Sequence, residues 1–128
     1  SNVTDSFSVK NSGRMRCYTF VEVFDFLQND RAQTVFAEGK TVYDALEPVA
    51  GSDKAMVPHA PYSVSPGLFR RVNEANEGRN VTVSIHNQET PPENELFEHG
   101  TGGFYGFYSK FGISLDRFRH TGQTSIHY

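Results

Sequence analysis

Strand-like and helix-like segments alternate along this chain of 128 residues. Runs of β-branched and aromatic residues predict strands at 18–27, 55–59 and 81–86. The helical spacing of apolar residues predicts helices at 31–47, 66–77, 91–100 and 103–112. Such alternation is typical of parallel strands joined by right-handed crossovers. The order therefore predicts an α/β fold with about three parallel strand–helix units.

Local signals mark the ends of the predicted helices. Ser65 is a good N-cap for the second helix, and Gly78 provides its stop. Thr90 and Glu93 have the spacing of a capping box at the start of the third helix. Gly39 lies near the centre of the first helix, where glycine is a weak helix former, and could divide it into two shorter helices.

Composition limits the classes of protein to which the chain can belong. Hydrophobic residues make up 37% and aromatic residues 13%, which is enough for a core, so we expect one domain over residues 1–128. The net charge is −3 with no long run of either sign, which gives no electrostatic reason to expect nucleic acid or an anionic membrane as a partner. No stretch approaches the roughly 20 apolar residues of a membrane helix.

Some weaker signals complete the expectations. Cys17 is the single cysteine and cannot form an intrachain disulfide, which favours a reducing compartment and a cytoplasmic location. Residues 1–16 are polar and predict a loop or an arm. Asn2 begins a glycosylation sequon, a pattern that is common by chance, and Pro48 begins a turn-like link to the second strand.

Polar groups stand at the ends of two predicted strands. His86 ends the apolar run at 81–86, and Glu89 follows three residues later. His86 could bind a metal, act as a general base, or serve only as a hydrogen-bonded structural group. Glu89 could transfer protons, or simply favour the N-terminus of the next helix through its charge. His59 and Tyr62 end the preceding strand and could contact a substrate, although prolines could also hold His59 in a tight turn.

The first predicted strand carries two acidic residues, Glu22 and Asp25. Carboxylates are unusual in a buried strand because burial without a partner is costly. We therefore expect both side chains to have partners if they are enclosed.

Three segments together resemble the central part of metal-dependent amidohydrolases. These are VPHAPYSVSPGLF at 57–69, VSIHNQET at 83–90 and ENELF at 93–97. The pairing of a His-Ala-Pro-Tyr motif with a later His-x-x-Glu is more specific than either motif alone. The subgroup that the segments most resemble deaminates or dechlorinates nitrogen heterocycles such as guanine, adenosylhomocysteine and triazines.

The resemblance implies roles for individual residues. The family fold is a (β/α)₈ barrel with one catalytic divalent metal, usually zinc or iron. By this resemblance His86 is a metal ligand after the fifth strand, and Glu89 transfers protons and orients the substrate. His59 faces the substrate after the fourth strand, and Tyr62 belongs to the same motif. Asn87 and Gln88 replace residues that are common in the family, which leaves the substrate subtype open.

The resemblance also implies that parts of the site are missing. The family has a His-x-His pair on its first strand, and none occurs here. It also has a sixth-strand histidine and an eighth-strand aspartate, for which this chain has no counterpart. A barrel needs roughly 250 residues. We therefore expect the middle of such a barrel, inactive and poor at holding metal by itself, from a parent that hydrolyses a nitrogen heterocycle.

A partial barrel also has consequences for assembly. Its exposed sheet edges could pair with a second copy, which predicts a possible homo-oligomer. The alternative to the hydrolase is a non-catalytic α/β domain that acts in binding or assembly.

Overall fold

The computed structural model describes residues 3–47 and 49–128. The sequon residue Asn2 and the first residue of the predicted link, Pro48, lie outside this range. The two strands are β1 (Tyr18–Val23) and β2 (Asp53–Pro58). The helices are α1 (Phe7–Asn11), α2 (Ala32–Ala45), α3 (Pro66–Asn76), α4 (Pro91–His99) and α5 (Gly103–Lys110). Short 3₁₀ turns occupy Asn29–Arg31, Pro61–Ser63 and Ser125–His127.

The two strands are parallel neighbours, as the alternation predicted. Their register runs from Tyr18 opposite Asp53 to Val23 opposite Pro58. Helix α2 crosses from β1 to β2, and both α2 and α3 pack against the sheet. The carboxyl ends of β1 and β2 therefore lie side by side, where parallel α/β folds carry their functional groups.

The predicted third strand at 81–86 is wrong for the part of the chain that the structure describes. The segment does run in the strand direction. The amide of Thr82 donates to the hydroxyl of Tyr18 at the start of β1 (2.7 Å), and the amide of His86 donates to the carbonyl of His59 just after β2 (2.9 Å). It forms no ladder among the described residues, however, and Val83 and Ile85 are exposed. The segment has the composition of a buried strand, but the described residues do not pack over it and bury it.

Helix α2 is continuous through Gly39, so the expected division at this glycine is wrong. A Cβ atom at position 39 would lie 2.3 Å from Cγ1 of Val23 and 3.3 Å from Cε of Met56. Glycine therefore lets α2 approach β1 closely, and this packing outweighs its low helix propensity.

The start of α3 and the end of α4 follow the sequence prediction, whereas the predicted N-terminal loop is partly helical. Ser65 caps α3 by accepting from the amide of Leu68 (3.3 Å), and Gly100 ends α4 in the left-handed region. Within the predicted N-terminal loop the chain forms α1, whose Phe7 is buried. The segment 113–128 is mostly irregular and ends in the short turn Ser125–His127.

Two apolar clusters make up most of the core that the described residues form. The first joins the sheet to α2 and α3, with Val21, Val35 and Leu68 among its buried members. The second lies between α4, α5 and the C-terminal segment around Phe97 and Tyr108. Among the described residues no helix is both long and apolar enough to span a membrane.

Candidate active site

The carboxyl ends of the strands bring together the residues that the sequence singled out. The ring centroids of His59 and His86 are 5.3 Å apart. Nδ1 of His86 lies 3.8 Å from Oε1 of Glu89, and Nε2 of His86 lies 3.4 Å from Oε1 of Glu22. His86 thus stands between two carboxylates and beside a second imidazole. The structure therefore brings the sequence-predicted candidates to one surface.

Glu22 is the residue of this group to which sequence reasoning gave no site role. The sequence did indicate that Glu22 has a partner, because a carboxylate in a strand is costly to bury alone. Its partner could not be identified from spacing, since His86 lies far along the chain. Glu22 and His86 meet because the segment at 81–86 lies along the sheet.

The ring of His59 is held by the 3₁₀ turn that follows it. Its Nδ1 lies 2.8 Å from Oγ of Ser63, and that hydroxyl donates to the carbonyl of Ala60 at 3.1 Å. A hydroxyl has one proton, so when Ser63 donates to Ala60 it accepts from Nδ1–H of His59. In that arrangement Nε2 of a neutral His59 carries no proton and is an acceptor. Phe24 and Tyr62 pack against the ring edge to face.

Tyr62 connects this turn to Glu89. Its hydroxyl donates to Oε2 of Glu89 at 2.7 Å, and its ring stacks on Phe104 with centroids 4.7 Å apart. Burial, followed by the bond to Glu89, raises the pKa of Tyr62 above its usual range. Tyr62 therefore stays a protonated donor to the carboxylate near neutral pH.

The loop that carries His59 and Tyr62 is fixed to the end of β1. The carbonyl of Ser63 accepts from the amides of Asp25 (3.1 Å) and Phe26 (2.9 Å). The carboxylate of Asp25 accepts from the amide (2.8 Å) and the hydroxyl (2.5 Å) of Ser65. Burial raises the pKa of Asp25 above its usual value, although these bonds oppose the increase. Strand β1 ends at Val23, before the predicted end at residue 27, so Asp25 lies just beyond the strand. Its buried carboxylate has the expected partner in Ser65 and anchors the loop.

Glu89 follows a sharp turn of the backbone. Gln88 adopts a left-handed conformation with φ of 54°. The buried carboxylate of Glu93 accepts from the amides of Gln88 (3.1 Å) and Glu89 (2.8 Å). Thr90 is the N-cap residue of α4 as predicted, but the predicted capping box is wrong. The side chain of Thr90 makes no capping bond, and Glu93 binds amides that precede the cap.

The described residues do not form a complete metal site. None of their histidine, cysteine and acidic side chains makes a group of three that could hold a metal ion. Catalytic zinc sites use about three protein ligands. The described residues therefore do not provide the ligands of such a zinc site by themselves.

A comparison of sequences found one significant relative among curated proteins, while no family model matches the chain. The relative is an aminodeoxyfutalosine deaminase of Deinococcus radiodurans, 32% identical over 75 residues. The alignment covers 57% of this chain and 18% of that protein. The chain therefore spans less than a fifth of the relative that it matches.

Solved structures show the same fold. The aminofutalosine deaminase of Helicobacter pylori superposes with a TM-score of 0.71 at 21% identity, over 98% of this chain and 30% of that one. The same protein is also known in complex with methylthio-coformycin. An adenosine deaminase from Xanthomonas campestris with bound zinc superposes with a TM-score of 0.54 at 22% identity, over 83% of this chain and 25% of that one.

These proteins are deaminases of the barrel type, and the present fold is a partial version of it. The mixed α/β architecture is confirmed, although the residues that the structure describes form two ladder-forming parallel strands in place of the predicted three. The comparisons do not decide between subgroups. They confirm that this chain resembles part of a deaminase of the metal-dependent amidohydrolase family.

Proposed function

We propose that this chain, a single domain over residues 1–128, is part of a longer hydrolase that removes an amino group from a nucleoside-like nitrogen heterocycle. The observation that carries the proposal is the convergence of His59, His86 and Glu89 at the carboxyl ends of the parallel strands. The deaminase relatives support the reaction class, and the methylthio-coformycin complex of one of them supports a small nucleoside-like ligand.

The reaction is a hydrolytic exchange of an amino group for an oxo group. The oxygen of water forms a bond to the ring carbon, and the bond from that carbon to the amino nitrogen breaks to release ammonia. Glu89 accepts one proton of the attacking water and passes it to the leaving nitrogen, and the second water proton moves to the adjacent ring nitrogen as the oxo group forms. The bond from Tyr62 holds one carboxylate oxygen of Glu89, so the second oxygen is the one that exchanges protons.

Two side chains are assigned to substrate binding. His59 projects from the end of β2, and its Nε2 accepts a hydrogen bond from the heterocycle or its sugar when Nδ1 donates to Ser63. The ring of Tyr62 provides an aromatic wall on the same side. Both residues belong to the loop that Asp25 fixes, so their geometry is set before substrate binds.

His86 is assigned as the ligand that this chain contributes to a divalent metal, zinc or iron. Such a metal supplies Lewis-acid chemistry when it is bound. The zinc in the Xanthomonas campestris structure supports a divalent metal in the longer protein. The other ligands would come from parts of the longer protein outside this chain, and this chain alone is expected to be inactive.

The assignment of Glu89 is tested in the protein made from the complete reading frame. Glu89→Gln keeps size and hydrogen bonding but removes the proton acceptor, so turnover should fall by about 10²- to 10⁴-fold. Binding of a nonreacting nucleoside analogue, measured by calorimetry, should persist. Glu74→Gln makes the same chemical change at an exposed position of α3 and should leave turnover unchanged.

Either of two results would count against the proposal. Turnover retained by Glu89→Gln removes the role of Glu89. A wild-type protein that binds the analogue but releases no ammonia favours the non-catalytic binding domain instead.

A further inference from the structure

We infer that Glu93 is a positioning residue that sets the orientation of Glu89. The inference rests on the proposed function for its catalytic consequence, but its structural part stands on geometry alone. Glu93 is fully buried at the start of α4, and it reaches out of the helix to the two amides before the cap. A buried carboxylate is costly unless hydrogen-bonded, and these amides provide the bonds.

The bonds differ from an ordinary capping box in the residues that they serve. In a capping box the glutamate binds the amide of the cap residue and thereby satisfies the helix end. Here the cap is Thr90, whereas the carboxylate of Glu93 binds the amides of Gln88 and Glu89. Glu93 therefore holds the loop in front of the helix.

That loop contains an unfavourable backbone conformation. Gln88 is left-handed, which is unfavourable for a residue that has a Cβ atom. Glu93 accepts from the amides before and after the Cα atom of Gln88, and these two bonds stabilise the turn. The turn is what brings the side chain of Glu89 back towards His86, so that Oε1 lies 3.8 Å from Nδ1.

Glu89 is consequently held at two points. Glu93 holds its backbone amide at 2.8 Å, and the hydroxyl of Tyr62 holds its carboxylate at 2.7 Å. Neither Glu93 nor the amides that it binds need to touch the substrate. Displacement of a catalytic group by about 1 Å can cost about 10²-fold in rate.

The experiment uses the protein from the complete reading frame with Glu93→Met and Glu93→Gln. Methionine removes both acceptors at similar volume, whereas glutamine keeps one acceptor oxygen. Hydrogen exchange at the amides of Gln88 and Glu89 should accelerate in Glu93→Met and less in Glu93→Gln. In Glu93→Gln, kcat should fall about 10- to 100-fold because loss of one hydrogen bond to the turn disturbs the orientation of Glu89. KM should stay nearly unchanged, since Glu93 does not contact the substrate. Glu95→Gln, an exposed position on the same helix, should change neither exchange nor kcat.

A second variant distinguishes positioning from helix capping. Gln88→Gly removes the cost of the left-handed conformation. In the Glu93→Gln background it should restore part of kcat if Glu93 acts by enforcing this turn. No restoration would point to a structural cap and contradict the inference.

Failure of the inference and failure of the proposed function give different results. Unchanged exchange at both amides in Glu93→Met overturns the inference, whatever the activity. A wild-type protein that deaminates no nucleoside-like heterocycle overturns the proposed function, while the exchange measurement still tests the structural part.

Discussion

Replacement of Gly39 by alanine is expected to destabilise the protein, against the trend of helix propensity. Alanine in a helix interior is more stable than glycine by about 1 kcal/mol. The added Cβ would, however, lie 2.3 Å from Cγ1 of Val23, whereas apolar carbon atoms pack at about 3.5–4.0 Å. Val23 is buried on β1.

The net effect follows from these two contributions. Overpacking of a well-packed core costs about 1–3 kcal/mol, and an overlap of this size belongs at the upper end. After the gain in propensity, Gly39→Ala should lower the free energy of unfolding by about 1–2 kcal/mol. Gly106→Ala is the matched control, because Gly106 lies inside α5 and an added Cβ would contact nothing within 4 Å apart from neighbouring residues and the backbone of its own helix. It should raise the free energy of unfolding by up to about 1 kcal/mol.

The assay is urea denaturation followed by circular dichroism on both variants and the wild type. Combining Gly39→Ala with Val23→Ala, which removes the clashing methyl group, should cost less than the sum of the two single changes. If Gly39→Ala stabilises the protein as Gly106→Ala does, the close approach of α2 to β1 is not what keeps glycine at position 39.

Two other predictions concern a buried charge and an exposed segment. Burial raises the pKa of Asp25 in the folded protein. This group therefore contributes most to the free energy of unfolding below about pH 3.9, the pKa that an aspartate has in an unfolded chain. The contribution is lost as pH rises through the pKa of Asp25 in the folded protein. The loss of unfolding free energy caused by Asp25→Asn should therefore become smaller between pH 4 and pH 7, measured by urea denaturation; a loss that grows with pH would contradict this. Homo-oligomerisation through exposed edges stays a prediction, and Val83→Lys should weaken any self-association seen by sedimentation velocity, whereas association that is unaffected would rule out this edge.

Much of the fold was predictable because its signals are local. The helix starts at Ser65 and Thr90 and the stop at Gly78 depend on residues within one turn of the helix. The parallel pairing of β1 and β2 follows from the helix between them. These features need no knowledge of distant parts of the chain.

The features that sequence reasoning missed depend on distant contacts. The apolar run at 81–86 has the composition of a strand, but its ladder and burial require neighbours that the described residues do not supply. The tolerance of Gly39 inside α2 depends on Val23 in β1. Helix propensity alone cannot predict that contact.

The candidate site also combines residues that the sequence predicted with contacts that depend on distant parts of the chain. His59, His86 and Glu89 were predicted from strand ends and from a family resemblance, and the structure brings them together. The bond from Tyr62 to Glu89 and the approach of Glu22 to His86 join different elements, so spacing did not indicate them. The reach of Glu93 past its cap depends on the left-handed turn at Gln88, which the sequence does not mark with a glycine.

The most direct test of the central claim is ammonia release by the protein from the complete reading frame. Purified protein is incubated with a panel of amino-substituted purine and pyrimidine nucleosides, and both ammonia and the heterocyclic product are quantified. We expect at least one nucleoside to yield ammonia and its oxo product in equal amounts, and Glu89→Gln to lower the rate of both by about 10²- to 10⁴-fold. Ammonia from none of them, with the fold intact and metal bound, would contradict the claim that these strand ends form part of a deaminase site.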